Sequence, residues 1–231
     1  MKLVGLNHDM YIASAALLED GEITAAVAEE RLNREKFYRN FPVQALRYCL
    51  DVGDCAVEDI DYFVSTWNPG TYFQKYNPLI SGKRRWMAEH LYAVPDHVIS
   101  LVSNKEKQAD YILQTVKIDD ADVRFYYITH HRAHAANAFF LSPFDEAAIL
   151  TADAQGEIES TTLAIGRGNQ IEVLRCIDYP QSLGAYYATF TEYLGFQPNS
   201  DEWKVMALAA YSSADDKYYR IIRDEMVELL A

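Results

Sequence analysis

Two histidines four residues apart, His130 and His134, stand in the run Tyr127-Ile128-Thr129-His130-His131-Arg132-Ala133-His134-Ala135-Ala136. If an extended segment passes into a helix there, the spacing brings both imidazoles to one helical face. Two rings so placed can share an ion at metal–nitrogen distances of about 2 Å, and zinc or iron accepts such a pair. His131 points to another side of the helix, and His131 with His134 is the alternative register. Downstream, Ala148-Ile149-Leu150-Thr151-Ala152 predicts a buried strand, after which Asp153-Ala154-Gln155-Gly156-Glu157 presents two acids and a glycine. A carboxylate at that strand end can complete part of an N,N,O coordination set, and the backbone beside Gly156 and Glu157 can cradle an oxyanion. The competing reading lets Asp153 and Glu157 end the strand and face solvent. No H-E-x-x-H occurs, which removes the usual metallopeptidase layout.

Other polar groups fall at predicted element ends. His8-Asp9 follows the first strand, where an imidazole can exchange a proton near neutral pH. Arg31-Leu32-Asn33-Arg34-Glu35-Lys36 follows the third, and Arg34 and Lys36 can hold a phosphate or carboxylate. In Glu202-Trp203-Lys204-Val205-Met206, Glu202 and Met206 share a helical face with Lys204 offset from it. Lys204 either reaches a substrate phosphate or is a solvated lysine above a core-facing Met206.

The elements that must position these groups read as a mixed α/β pattern. Residues Lys2 to Leu6, Ala13 to Leu18 and Ile23 to Ala28 predict an antiparallel meander, with Asp20-Gly21 as a tight turn. Pro42 to Leu50 predicts a helix with proline in its permitted first turn, and Ile60 to Thr66 a buried strand. Residues 67–99, rich in aromatics around Lys83-Arg84-Arg85, read as an insertion, either an aromatic and basic wall for an acceptor or a satellite core. A helix from Asn104 to Val116, strands at Val123 to Ile128, Ala147 to Ala152, Thr161 to Gly166 and Ile171 to Ile177, and three helices (Ser182 to Tyr193, Glu202 to Ala210, Asp215 to Leu230) complete the expectation. The last helix reaches Leu229-Leu230-Ala231 without glycine cap or proline stop, which predicts that the chain continues.

The 231 residues suffice for a large core without disulfides. Half the residues are hydrophobic and the formal net charge is -13, a field that discourages nonspecific contact with nucleic acid or anionic membrane. No apolar run reaches the ~18 residues of a spanning helix. The scattered Cys49, Cys55 and Cys176 suit reduced thiols, and a cytoplasmic location is the expectation. Neither G-x-G-x-x-G after the first strand nor a G-x-x-x-x-G-K-S/T loop is present.

Ordered motifs along nearly the whole chain carry a family resemblance. They are Val4-Gly5-Leu6-Asn7, Ser14 to Leu18, Asp20-Gly21, Ala28-Glu29-Glu30-Arg31, Arg34-Glu35-Lys36 and Phe41-Pro42, then His130 to Ala136, Ser142 to Ala147, Tyr179 to Gly184 and Glu202 to Ala209. In these the chain resembles the amino-terminal part of the carbamoyltransferases of nodulation-factor and antibiotic pathways. The resemblance implies an actin/hexokinase-like (ASKHA), ribonuclease-H-like fold, here an incomplete two-lobed one, with a carboxy-terminal carbamoyl-adenylate-forming domain absent from this chain. It implies that ATP and carbamoyl phosphate yield carbamoyl adenylate, whose carbamoyl group passes to an acceptor hydroxyl at an iron or zinc site. His130, His134 and Asp153 match the family's metal ligands, and a further aspartate is expected beyond residue 231. His8 and Lys36 are the candidate catalytic residues; Arg34, Gly156, Glu157, Glu202 and Lys204 are candidate contacts to nucleotide or substrate. The acceptor would be a hydroxylated small molecule or glycan, and a homodimer is one way to cover an exposed face. Ala154, Ala207 and Ser212 stand where family members commonly have glycine, so a noncatalytic nucleotide- or metal-binding module is an alternative. A metal-dependent hydrolase is the third reading.

Overall fold

A computed structural model of the chain describes residues 1–8, 12–68, 111–118, 121–211 and 216–226. Apart from Trp67 and Asn68, the predicted insertion at 67–99 lies outside the described residues. The chain divides into two compact units, Met1–Ser182 and Leu183–Ala231.

The first unit opens with the expected meander: β1 (Lys2–Asn7), β2 (Ser14–Glu19) and β3 (Glu22–Ala28), antiparallel in register. Asp20 and Gly21 both take positive φ, 51° and 92°, as a tight hairpin turn requires. A short α1 (Glu29–Asn33) follows, then α2 (Val43–Val52), which covers one face of the sheet. Strand β4 (Tyr62–Ser65) pairs parallel with β1. Next come β5 (Tyr111–Ile118) and β6 (Ala121–Ile128), antiparallel to each other, with β6 parallel to β4. The six-stranded order is β3-β2-β1-β4-β6-β5. Val4, Leu6, Leu17, Phe63 and Phe125 project alternately from these strands into one core with Ala45, Leu46 and Cys49 of α2.

Residues 111–118 correct the expected helix from Asn104 to Val116. Tyr111, Ile112, Thr115, Val116 and Ile118 are aromatic or β-branched residues that favour a pleated strand, and β6 supplies the pairing partner over the full length. Residues 104–110 lie outside the described residues.

Helix α3 (His130–Phe140) leaves the end of β6 after one residue. It packs on a second, three-stranded antiparallel sheet of β7 (Glu146–Ala152), β8 (Glu159–Arg167) and β9 (Gln170–Asp178), in the order β7-β8-β9. Ala135 and Phe139 of α3 are buried against Ile149 and Ala164. Their close approach needs Gly166, where an added Cβ would lie 2.7 Å from Phe139 ring carbons.

The second unit holds α4 (Leu183–Tyr193), α5 (Glu202–Leu208) and α6 (Asp216–Ile221), the last continuing as a π-helical turn over Ile222–Met226. The predicted helices are thus recovered in type, with residues 227–231 outside the described part. Among the described residues no helix is long and apolar enough to cross a membrane.

Candidate metal centre

Strands β1, β4 and β6 run parallel, so their carboxyl ends share one edge of the sheet. The chemistry gathers at the β6 end. Thr129 is the N-cap of α3 with extended φ and ψ (-68° and 147°), which turns the chain from strand to helix and puts His130 in the first turn. His134, one turn on, faces the same way. Their Nε2 atoms lie 3.0 Å apart, and their ring centroids 4.4 Å.

Asp153 enters from the end of β7. Its Oδ2 lies 2.9 Å from His130 Nε2 and 3.1 Å from His134 Nε2. Its backbone is fixed on both sides: Asp153 N–H donates to the Ser160 carbonyl at 2.9 Å, and Ser182 Oγ donates to the Asp153 and Ala154 carbonyls at 3.0 and 2.7 Å. Burial raises the Asp153 carboxyl, but the two imidazoles and the Ala154 N–H outweigh it and hold the group well below the usual carboxylate range. The result is a fixed negative charge beside two imidazole nitrogens.

Three electron-rich atoms that converge this closely suit a cation. The two Nε2 positions can supply at most one proton each, both directed at a single carboxylate oxygen, and two N–H groups facing one another at that separation repel. A metal ion satisfies all three lone pairs at once, and the N,N,O donor set is that of borderline divalent metals. Imidazole and carboxylate therefore fit the metal expected from the sequence, with His130, His134 and Asp153 as its ligands.

His131 takes no part in that cluster. Its ring is buried, with Nε2 3.1 Å from the Glu159 carbonyl and Nδ1 2.7 Å from Thr151 Oγ1. A carbonyl only accepts, so Nε2 carries the proton and Nδ1 accepts from Thr151; Thr151 Oγ1 in turn accepts from Thr162 Oγ1 at 2.7 Å. Burial, helped by the neighbouring His130, pushes this imidazole down to about 4, so the ring is neutral. Gly156 makes room for it: a Cβ there would sit 2.8 Å from His131 Cδ2 and 3.1 Å from the Glu159 carbonyl.

Glu157 is completely buried beneath the cluster. Its Oε1 accepts the Asn68 N–H at 2.7 Å, and both its oxygens accept the His130 N–H at 3.1 and 3.0 Å. Burial pushes this carboxyl up, to about 8, against backbone N–H groups that favour its charged form. Trp67, also buried, lies against the His130 ring with centroids 5.5 Å apart. Sequence reasoning singled out Gly156 and Glu157 as cradle or cofactor contacts; the structure places them under the ligands, in contact with His131 and with the start of α3.

The remaining candidates are more dispersed. His8 lies just past β1, half-buried, with its ring 5.5 Å from Phe41. Arg34 is the exposed C-cap of α1 with φ 65°, and Lys36 is an exposed residue 3.6 Å from Glu30. His8 is two strands from β6, which puts about 10 Å between their backbones. Glu202 and Lys204 belong to the second unit. There Glu202 Oε1 accepts the Asn199 N–H at 2.6 Å, and Lys204 pairs with Asp201 at 2.8 Å over the Phe196 and Trp203 rings.

Thr151, Thr162 and Ser182 were not singled out as site residues, whereas Trp67 and Asn68 begin the stretch read as an aromatic and basic wall. Thr151 offered one signal, a polar residue in the middle of an apolar strand run.

Comparison with known proteins shows the family. The family of the carbamoyltransferase N-terminus matches residues 2–231. An uncharacterized protein of Synechocystis, sll1178, is 36% identical across 99% of this chain and 37% of its own length. The nodulation protein NolNO of Sinorhizobium fredii is 31% identical across 97% of this chain and 31% of its own. An uncharacterized protein of Methanocaldococcus jannaschii, MJ1051, is 30% identical across 90% of this chain and 33% of its own. The chain thus spans about a third of the length of the curated relatives it matches. A motif series running from β1 to α5 and a family match over essentially every residue lead to one assignment: the chain belongs to the carbamoyltransferase N-terminal family.

Proposed function

We propose that this chain is the metal-bearing segment of an O-carbamoyltransferase, which moves a carbamoyl group from carbamoyl adenylate to an acceptor hydroxyl. The observation that carries the reading is the convergence of His130 Nε2, His134 Nε2 and Asp153 Oδ2 in a chain of this family. Carbamoyl adenylate would arise from ATP and carbamoyl phosphate in a separate carboxy-terminal domain. The strand order β3-β2-β1-β4-β6, with an antiparallel meander followed by parallel strands, supports the ribonuclease-H-like, ASKHA-type reading of the first sheet. The three free cysteines accord with a cytoplasmic setting.

Iron or zinc is the ion that this N,N,O donor set would hold, through His130, His134 and Asp153. Such an ion supplies Lewis acidity toward the transferring carbonyl oxygen.

The chain's own groups do the rest. Asp153 would bring a fixed negative charge to the ion, facing the same point as the two Nε2 atoms. Trp67 excludes water from one side of His130. His8, about 10 Å across the same sheet edge, takes the proton of an acceptor hydroxyl lying between it and the ligands. Lys36 and Arg34, exposed beyond β3, supply positive charge for an anionic donor. The acceptor is a hydroxylated small molecule or glycan.

The other reading, a noncatalytic metal-binding module, is favoured by Ala154: its N–H is taken by Asp153 Oδ1 at 2.7 Å and its carbonyl by Ser182. The Ala154 N–H is then not free to bind an oxyanion. The intact protein, given labelled carbamoyl phosphate, ATP, ferrous iron and hydroxylated acceptors, separates the two. Label in an acceptor carbamate supports transfer; stoichiometric metal binding with no carbamoyl adenylate or carbamate formed contradicts it.

A further inference from the structure

Neither α2 nor α3 begins with a side-chain cap of its own: Pro42 before α2 and Thr129 before α3 make no side-chain hydrogen bond to the helix. Each is instead met by a buried glutamate from elsewhere in the chain. Glu29 accepts the Gln44 and Ala45 N–H groups at 3.2 and 2.7 Å, and Glu157 accepts that of His130. A carboxylate at a helix N-terminus satisfies orphaned donors and complements the helix dipole. The two differ in what the helix carries. α2 contributes Ala45, Leu46 and Cys49 to the core and no residue to the cluster, whereas α3 carries two of its three metal-ligand candidates.

Glu157 is also four residues from the third ligand, in the loop that runs from Asp153 to β8. Its second partner, the Asn68 N–H, belongs to the segment after β4. One buried carboxyl group therefore ties together the helix bearing His130 and His134, the loop bearing Asp153, and the segment after β4. It does so with no exposure to solvent, so no water competes for its oxygens.

We propose that Glu157 is a positioning residue for the metal centre: it sets the distance between the Asp153 carboxylate and the two imidazoles by fixing the Asp153 loop to the first turn of α3. This rests on the metal-site reading above, and the role belongs to metal binding before any group transfer. Groups that orient ligands from behind typically govern metal affinity by 10–100-fold.

The test compares Glu157→Gln with Glu29→Gln in the intact protein, reading cobalt(II) dissociation constant and visible spectrum beside thermal unfolding. Both substitutions put an amide NH2 where a buried carboxyl oxygen accepts a backbone N–H, so both lose stability. The proposal expects Glu157→Gln to weaken cobalt(II) binding roughly 10–100-fold and to alter the spectrum, while Glu29→Gln leaves both unchanged. Equal affinity in Glu157→Gln and wild type, or equal loss in both variants, overturns it. If Glu157→Gln does not fold, backbone hydrogen exchange in metal-free wild type decides. The His130 and Asn68 amides must already be protected, because the tie precedes the metal; protection that arises only when cobalt(II) is added overturns the proposal. Wild type that binds no cobalt(II) at all refutes the metal-site reading itself.

Discussion

Replacing Gly156 by alanine should destabilise the first unit, because the space beside this residue is already taken. The added Cβ would meet His131 Cδ2 at 2.8 Å, the Glu159 carbonyl at 3.1 Å and His131 Nε2 at 3.3 Å. Neither neighbour can yield cheaply. The carbonyl is backbone that already accepts the Gly156 N–H, and the imidazole is held at both nitrogens. Overpacking of this kind costs about 1–3 kcal/mol. Displacing the ring adds roughly 0.5–1.5 kcal/mol for each hydrogen bond loosened, while the stiffer unfolded chain returns about 0.4–1 kcal/mol. The net is a loss of about 2 kcal/mol, or roughly 4–8 °C in Tm for a chain of this size. Thermal and urea unfolding of the intact protein, followed by circular dichroism, would measure it. An unchanged or raised Tm would refute the packing argument and return Gly156 to the role of a ligand cradle, which predicts lost turnover at full stability.

The neutral, buried state of His131 makes its contribution pH-dependent. Its folded value of about 4 lies below the ordinary 6.5, so the unfolded chain binds the proton first. The stabilisation is complete above pH 6.5 and is lost as pH falls toward 4, by up to about 3 kcal/mol at 1.4 kcal/mol per pKa unit. The difference in unfolding free energy between wild type and His131→Gln should therefore shrink across that window, and a constant difference would count against it. Thr151→Val leaves His131 Nδ1 and the Thr162 hydroxyl without their shared partner and should cost about 1–3 kcal/mol in urea unfolding. Gly166→Ala should destabilise through the Phe139 ring, and Phe139→Leu in the same chain should recover part of that loss, whereas strict additivity would show that the two do not touch.

What could be read from the sequence was whatever local periodicity controls. The facing of His130 and His134 follows from helix geometry alone once a helix is granted, and the arrival of Asp153 follows from an apolar strand that ends abruptly. The Asp20-Gly21 turn is equally local. Glu157 was visible as an acid beside the site, but its partners are backbone N–H groups 89 and 27 residues away, and a backbone donor leaves no residue type to recognise. Gly156 was visible as a glycine, but the His131 ring packed against it lies 25 residues away in sequence and leaves no local sign. The helix expected through Val116 failed because β-branched residues at mixed spacing suit either element, and the decision belongs to the strand that pairs with them.

The central claim is that His130, His134 and Asp153 together hold one metal ion. Iron titration of the intact, metal-free protein with X-ray absorption at the iron edge tests it most directly, run on wild type and on the variants His130→Ala, Asp153→Asn and His131→Gln. The account predicts one ion per chain, with imidazole and carboxylate scattering in wild type and in folded His131→Gln, and loss of that ion in His130→Ala and Asp153→Asn. Iron retained with unchanged ligation after removal of His130 or Asp153, or lost equally on removal of His131 from a folded chain, would contradict it.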